Sequence, residues 1–420
     1  MSRPDSTVSI RSGFLFLSSR WASTWFRLRS AQKDLILLNS TKYLMKTPSI
    51  IGAAFCCLSF MVAHSLAGPP KVIIDTDFNT IGDDGQVAVM AAQLYAAGEI
   101  DLLGFTIASG NEWRDQEVVE CLKAVERLGI ENRVKVYVGS QYPLLHDYNS
   151  YLYEVSLFGP PIDYVGAYSG KQPTLSQLVE PPDGWPTHTL PAVQDAVDFI
   201  IETIHRYPHE VTILEIAPPT NLALAIRKDP TIVPLIKKLV TMAGQIYAPG
   251  NAYLDKAEFN WWFDPEATQI VLRADIPHFI IPLDCTNTIP LNKTVFDQIT
   301  QHQPQTIITQ LFEGENATFF GAKPPSYIPY IYDTTAFAYL VHPEFATDVR
   351  DLWVDMNTTF DVNYGKSKVY TSDPYPSIGL LQDSKVIFGL NNAQFYAFYV
   401  DLLTRPVPVK FCRPPYGFGR

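Results

Sequence analysis

The chain has 420 residues, 47% hydrophobic and 18% charged, enough to bury a sizeable core as one large domain or two ordinary ones. A formal net charge of −11, with no basic cluster beyond the first 46 residues, argues against nucleic acid as a partner. Thirty-three prolines and 13% aromatics favour an ordered globular chain over a disordered one, and no internal repeat stands out.

Residues 1–44 carry seven Lys or Arg and no coherent periodicity. From Met45, the stretch MKTPSIIGAAFCCLSFMVAHSLAG places one lysine before an apolar run, with the small residues Ser65-Leu66-Ala67 at its end. This reads as a signal peptide over 45–67 behind an N-terminal extension, with Met45 as an alternative start. The apolar run, about 14 residues, is short for a spanning helix, although a retained N-terminal anchor is the competing reading. The expectation is a secreted protein with no stable membrane association after signal removal. Sequons at Asn292, Asn316 and Asn357 permit glycosylation. Only Cys121, Cys285 and Cys412 follow residue 67; their spacing suits no metal site, and Cys121 reads as core.

From residue 71 strands and helices alternate. Val72–Ile74 is a short apolar strand, Gly85–Ala97 a helix closed by Gly98, and Leu102–Ala108 a second strand. Asp115–Leu128 is an amphipathic helix ended by Gly129, and Val134–Val138 a third strand. A Pro- and Tyr-rich insertion over 141–189 is too long for a simple connection and reads as a site-covering loop. Beyond it come a helix over Val193–His205 and strands at Val211–Ile216, Leu239–Ala243 and Phe279–Leu283. A helix over Asp264–Ala274 and a final one over Asn391–Thr404 complete the pattern. Repeated strand–helix units predict an α/β fold, an open and mainly parallel sheet with helices on both faces, in one domain over 68–420. Ligands of such sheets bind beyond the carboxyl ends of the strands.

At the end of the first strand, KVIIDTDFNTIGDDGQ packs Asp75, Asp77, Asp83 and Asp84 into ten residues. One helix N-terminus cannot neutralise them all. A hard cation with oxygen ligands can, and the lack of Cys or His nearby speaks against zinc. Two families use such a strand end. Haloacid-dehalogenase-type phosphatases carry D-x-D-x-T, but Asp75-Thr76-Asp77-Phe78 continues with Asn79.

The second resemblance recurs along the chain. DTDFNTIGDD, IASGN ending at Asn111, APPTNLALAI at 217–226, MAGQIYAPGN with AEFNWWFDPEA, PLDCT at 282–286 and IYDTTAFAYLVHPE at 331–344 occur in order. Together they resemble the inosine-uridine-type nucleoside hydrolases, over roughly 71–405. The resemblance implies a Rossmann-like fold and Ca²⁺-dependent cleavage of a ribonucleoside to free base and ribose. It assigns Ca²⁺ to Asp77, Asp84, Asp333 and the main-chain carbonyl of Thr220, with Asp77 also taking a proton from the attacking water. It assigns the sugar hydroxyls to Asp83, Asn111, Glu258 and Asn260. Carboxylates suit a reaction in which positive charge grows on the sugar ring. Many members place His before the late Asp, to protonate a purine; here Tyr332 stands there, a candidate leaving-group acid that leaves the base preference open. A homo-oligomer stays open, as do a phosphatase and a nucleoside- or ribose-binding protein without turnover.

Overall fold

The computed structural model describes residues 68–321 and 329–412, all within one compact unit, Gly68–Arg420. The extension and signal peptide expected over 1–67 lie outside the described residues.

The strands are β1 Lys71–Thr76, β2 Asp101–Ile107, β3 Lys135–Val138, β4 Val211–Glu215, β5 Lys238–Met242, β6 His278–Ile281, β7 Ala346–Met356, β8 Ser367–Tyr370 and β9 Asp383–Leu390. They form one sheet in the order β3-β2-β1-β4-β5-β6-β9-β7-β8. From β3 to β9 every neighbouring pair is parallel, and β7 then runs antiparallel to both β9 and β8.

The helices are α1 Asp83–Ala97, α2 Arg114–Leu128, α3 Tyr148–Phe158, α4 Ala196–Arg206, α5 Thr220–Lys228, α6 Phe259–Phe263, α7 Pro265–Leu272, α8 Leu283–Thr286, α9 Lys293–Thr300, α10 Ile307–Gly321, α11 Asp333–Val341 and α12 Asn392–Thr404. Parallel strands buried on both faces need apolar residues throughout, as in the VII of β1 and the VTIL of β4. One apolar layer joins Val72, Ile74 and Leu214 to α1, α2, α11 and α12. The opposite layer joins Ile73, Ile213 and Leu239 to α4, α5 and α7. Helices therefore cover both faces, as the alternation predicts.

Several boundaries move for local reasons. Asp195 caps α4 by accepting the Asp198 N–H at 2.8 Å, so that helix starts at Ala196 and not Val193. Asp264 caps α7 in the same way, accepting from Ala267 N, and ends the separate short helix α6. Gly98 closes α1 at φ 77°, a left-handed conformation that costs glycine little. The 141–189 insertion is more than a loop: it holds α3 and short 3₁₀ turns, and Tyr151 and Tyr168 join a buried aromatic cluster with Trp262 and Phe263.

Chain order reverses beside β1. The first units run from β1 outward to β3, and the chain then returns to place β4 on the other side of β1. Such a switch point leaves a crevice at the carboxyl ends of β1 and β4. The acidic stretch sits there.

Candidate active site

β1 ends at Thr76, with Asp75 fully buried. Asp75 Oδ1 accepts from Thr106 Oγ1 on β2 at 2.5 Å and from Asn221 Nδ2 on α5 at 2.7 Å. Burial pushes its carboxyl up to about 6. Through Oδ1 this residue ties three elements together behind the site.

Asp77 lies just past the strand end. Its Oδ2 accepts the Asn111 main-chain N–H at 2.8 Å, and its buried Oδ1 has no hydrogen-bond partner among the described residues. Asn111, at the turn after β2, also donates through Nδ2 to the Asp77 carbonyl at 2.8 Å and to Asp84 Oδ2 at 2.9 Å. Gly110 permits that approach, since a Cβ there would collide with the Asp77 carboxylate.

Asp83 and Asp84 open α1, and Asp333 opens α11. Carboxylate oxygens of these three lie within 4.8 Å of one another. Thr76 Oγ1 donates to Asp84 Oδ1, and Asn79 Nδ2 to Asp83 Oδ1 at 3.3 Å. The two helix N-termini offset part of the negative charge. They do not offset it all. Burial, then the Asp83 charge, pushes Asp77 well above the usual carboxylate range. Burial, then the Asp77 and Asp83 charges, does the same to Asp84. Asp333 rises through burial and the charges of Asp83, Asp84 and Asp77. The compact trio thus contains Asp83, which the resemblance gives to the sugar, and Asp77 acts on it from the side held by Asn111.

Thr220 opens α5, where its Oγ1 donates to Asp264 Oδ2 at 2.7 Å; Asn221 beside it makes the bond to Asp75. Glu258 is buried and caps α6: Oε1 accepts from Asn260 N at 2.9 Å, and Oε2 from Gly244 N at 2.8 Å and Trp261 N at 3.1 Å. Burial lifts it to about 7. Its charge reaches Asp77 and Asp333, so it borders the cluster while holding its own backbone; a sugar hydroxyl would be one donor more. Asn260 Nδ2 donates to the Met242 and Ile216 carbonyls at 3.1 and 3.3 Å, joining the ends of β5 and β4. Tyr332 precedes α11, half-buried, with its ring against the core. Trp261 and Trp262 are both buried at 1% exposure, as core residues.

Some site residues escape a sequence reading. Tyr164, from the insertion, donates through its hydroxyl to Asn111 Oδ1 at 2.9 Å. Glu117 on α2 accepts from Gly110 N at 3.2 Å and Glu112 N at 2.8 Å, clamping the Asn111 turn from behind. Its place in the first turn of an amphipathic helix offered a signal; Tyr164, in an irregular stretch, offered none. A cleft of about 620 Å³ opens beside the cluster, with Asn111, Trp113, Tyr164 and Val165 among its walls.

Buried carboxylates from three elements, focused on a strand-end crevice, can stabilise a cation, bind hydroxyls and accept a proton from water. The chain is similar to several known proteins. The family model described as inosine-uridine preferring nucleoside hydrolase matches residues 72–397. The pyrimidine-specific ribonucleoside hydrolase RihB of Shigella sonnei is 28% identical over 311 residues, covering 71% of this chain and 86% of that protein. RihB of Escherichia coli strain K12 is 28% identical over 302 residues, with the same coverage. Among solved structures, a plant nucleoside hydrolase aligns with TM-score 0.66 at 22% identity, over 80% of this chain and 100% of that one. A purine-preferring ribonucleoside hydrolase from Gardnerella vaginalis aligns with TM-score 0.60 at 23% identity, over 80% of this chain and 98% of the other. The chain belongs to the inosine-uridine preferring nucleoside hydrolase family, and is an N-glycosyl hydrolase of ribonucleosides.

Proposed function

We propose that this protein is an exported, Ca²⁺-dependent ribonucleoside hydrolase whose reaction takes place at the Asp77–Asp83–Asp84–Asp333 cluster. The observation that carries this reading is the buried Asp77 Oδ1, which lacks a partner among the described residues while Asp83, Asp84 and Asp333 crowd the same crevice. The charges that bear on each of these groups are those of other carboxylates, and all the donors are oxygens, a set that fits a hard cation. Asp77, Asp84, Asp333 and the Thr220 carbonyl would hold the ion. When bound, Ca²⁺ supplies positive charge that neutralises the cluster and acidifies a neighbouring water.

The side chains do the rest. Asp77 accepts the proton of the attacking water on Oδ1. Asp83, Asn111, Glu258 and Asn260 fix the sugar hydroxyls, and the surrounding carboxylates stabilise the positive charge on the ring as the base departs. The phosphatase alternative requires Asp75 as nucleophile, and Asp75 is buried behind Thr106 and Asn221.

Export rests on the sequence of 45–67, and sequons with accessible asparagines are compatible with it. Asn292 and Asn357 are partly exposed, while Asn316 is 6% exposed and donates to the Phe312 carbonyl at 3.0 Å. Glycans are therefore proposed at Asn292 and Asn357, and buried Asn316 is left without one. No helix of the described residues is long and apolar enough to cross a membrane. Following free base and ribose by chromatography, with uridine, inosine, adenosine and guanosine in turn, tests the reading and reports the base preference. Intact nucleosides after incubation with Ca²⁺ would refute it.

A further inference from the structure

We propose that Tyr164, delivered by the 141–189 insertion, is a positioning residue that sets Asn111 for binding the ribose, an inference that rests on the function proposed above. Asn111 is the hub of the site: its Nδ2 bridges the Asp77 carbonyl and Asp84 Oδ2, and its main-chain N–H holds Asp77 Oδ2. That leaves Oδ1 as its outward-facing polar atom, and the Tyr164 hydroxyl donates to it at 2.9 Å. A donor on the oxygen of an amide polarises it and strengthens the hydrogen bonds given by its nitrogen. The phenol thus tightens the Asn111 grip on Asp84 and leaves the second Oδ1 lone pair aimed beside it for a sugar hydroxyl.

Tyr164 is built in and is not a stray surface side chain. Its ring meets Phe259 edge-on at 4.8 Å. Its carbonyl accepts from Tyr253 N at 3.1 Å, and Ile162 N donates to the Tyr253 carbonyl at 3.0 Å, in a short ladder. Three residues on, Ala167 N donates to the Gly110 carbonyl at 2.9 Å, pinning the insertion to the very turn that carries Asn111. The residue is 50% exposed and lines the 620 Å³ cleft. Partial burial and the nearby charges of Asp77, Asp83, Glu117 and Asp84 raise its pKa.

The test is Tyr164→Phe in the full chain, which keeps the ring and removes one hydrogen bond. A neutral bond of this kind is commonly worth ~3–10-fold in an equilibrium constant. KM should rise by that factor, with kcat nearly unchanged, equally for inosine, uridine and p-nitrophenyl riboside, because the sugar is common to all three. In an Asn111→Ala background the same substitution should change nothing further, a coupling that a merely structural tyrosine would not show. Calorimetric binding of ribose reads the same bond without turnover, so failed hydrolysis by the wild type would refute the function while leaving this comparison legible. Slowing confined to the natural nucleosides would overturn the proposal in favour of a leaving-group role. Unchanged KM and ribose affinity, or additive effects with Asn111→Ala, would overturn it as well.

Discussion

Asn111 Nδ2 lies 2.9 Å from Asp84 Oδ2, and that single bond joins the turn after β2 to the first turn of α1. The order of the site depends on such neutral donors holding like charges together.

Gly110 is the spacer that lets Asn111 reach Asp77. In Gly110→Ala the new methyl collides with the Asp77 carboxylate, so the turn must shift. A misplacement of about 1 Å near the chemistry can cost ~10²-fold in rate. The expected result is a kcat/KM lowered by about that factor, with folding retained by circular dichroism. Wild-type kcat/KM would show that the turn tolerates the shift.

Glu120 on α2 gives a pH dependence outside the cation site. Burial, then the Glu112 charge, pushes its carboxyl up to about 7. The folded state therefore holds a proton that the unfolded chain releases near 4.5, and stability falls as pH rises from about 4.5 through about 7. By linkage the loss is on the order of 3 kcal/mol. Glu120→Gln should match wild type in Tm near pH 4.5 and exceed it at pH 8. An equal gap at both values would mean that Glu120 does not titrate in this range.

Tyr332 stands where the family resemblance leads one to expect His. A phenol is a far weaker acid than imidazolium, and general-acid help is commonly worth ~10²–10⁴-fold. Tyr332→Phe should slow inosine and uridine by less than Asp77→Ala does, and leave p-nitrophenyl riboside almost untouched. Equal slowing of the artificial substrate would place Tyr332 on the sugar.

Protein from the native host should begin near Gly68, carry glycans at Asn292 or Asn357 and none at Asn316. Mass spectrometry of tryptic peptides decides it. An intact Met1 on the mature protein would overturn export.

The first half of the sheet was legible because each buried strand is a short apolar run followed by a helix with its own stop. The antiparallel edge was not. β7 reads ATDVRDLWVDM, with Asp348, Arg350 and Asp351 on a largely exposed first half, and only its pairing with β9 and β8 defines it as a strand. The same limit applies within the site. Asp77, Asp83, Asp84 and Asp333 announce themselves through crowding and motif, whereas Tyr164 is 53 residues from Asn111 in sequence and meets it only through the path of the insertion. Glu258 shows a subtler gap: its motif points to a ligand, and its three main-chain partners show that it first builds the turn that holds it.

The central claim is that the carboxylate cluster holds the cation required for cleavage of the N-glycosidic bond. The most direct measurement is release of free base by chelator-treated protein during titration with Ca²⁺, comparing wild type with Asp333→Ala. Wild type should be inactive after chelation and recover fully with Ca²⁺. Asp333→Ala should remain folded and inactive at every concentration, since the lost carboxylate lies in a polar crevice and not in the apolar core. Base release by wild type that persists in excess chelator, or Ca²⁺-dependent recovery in Asp333→Ala equal to wild type, would contradict the account.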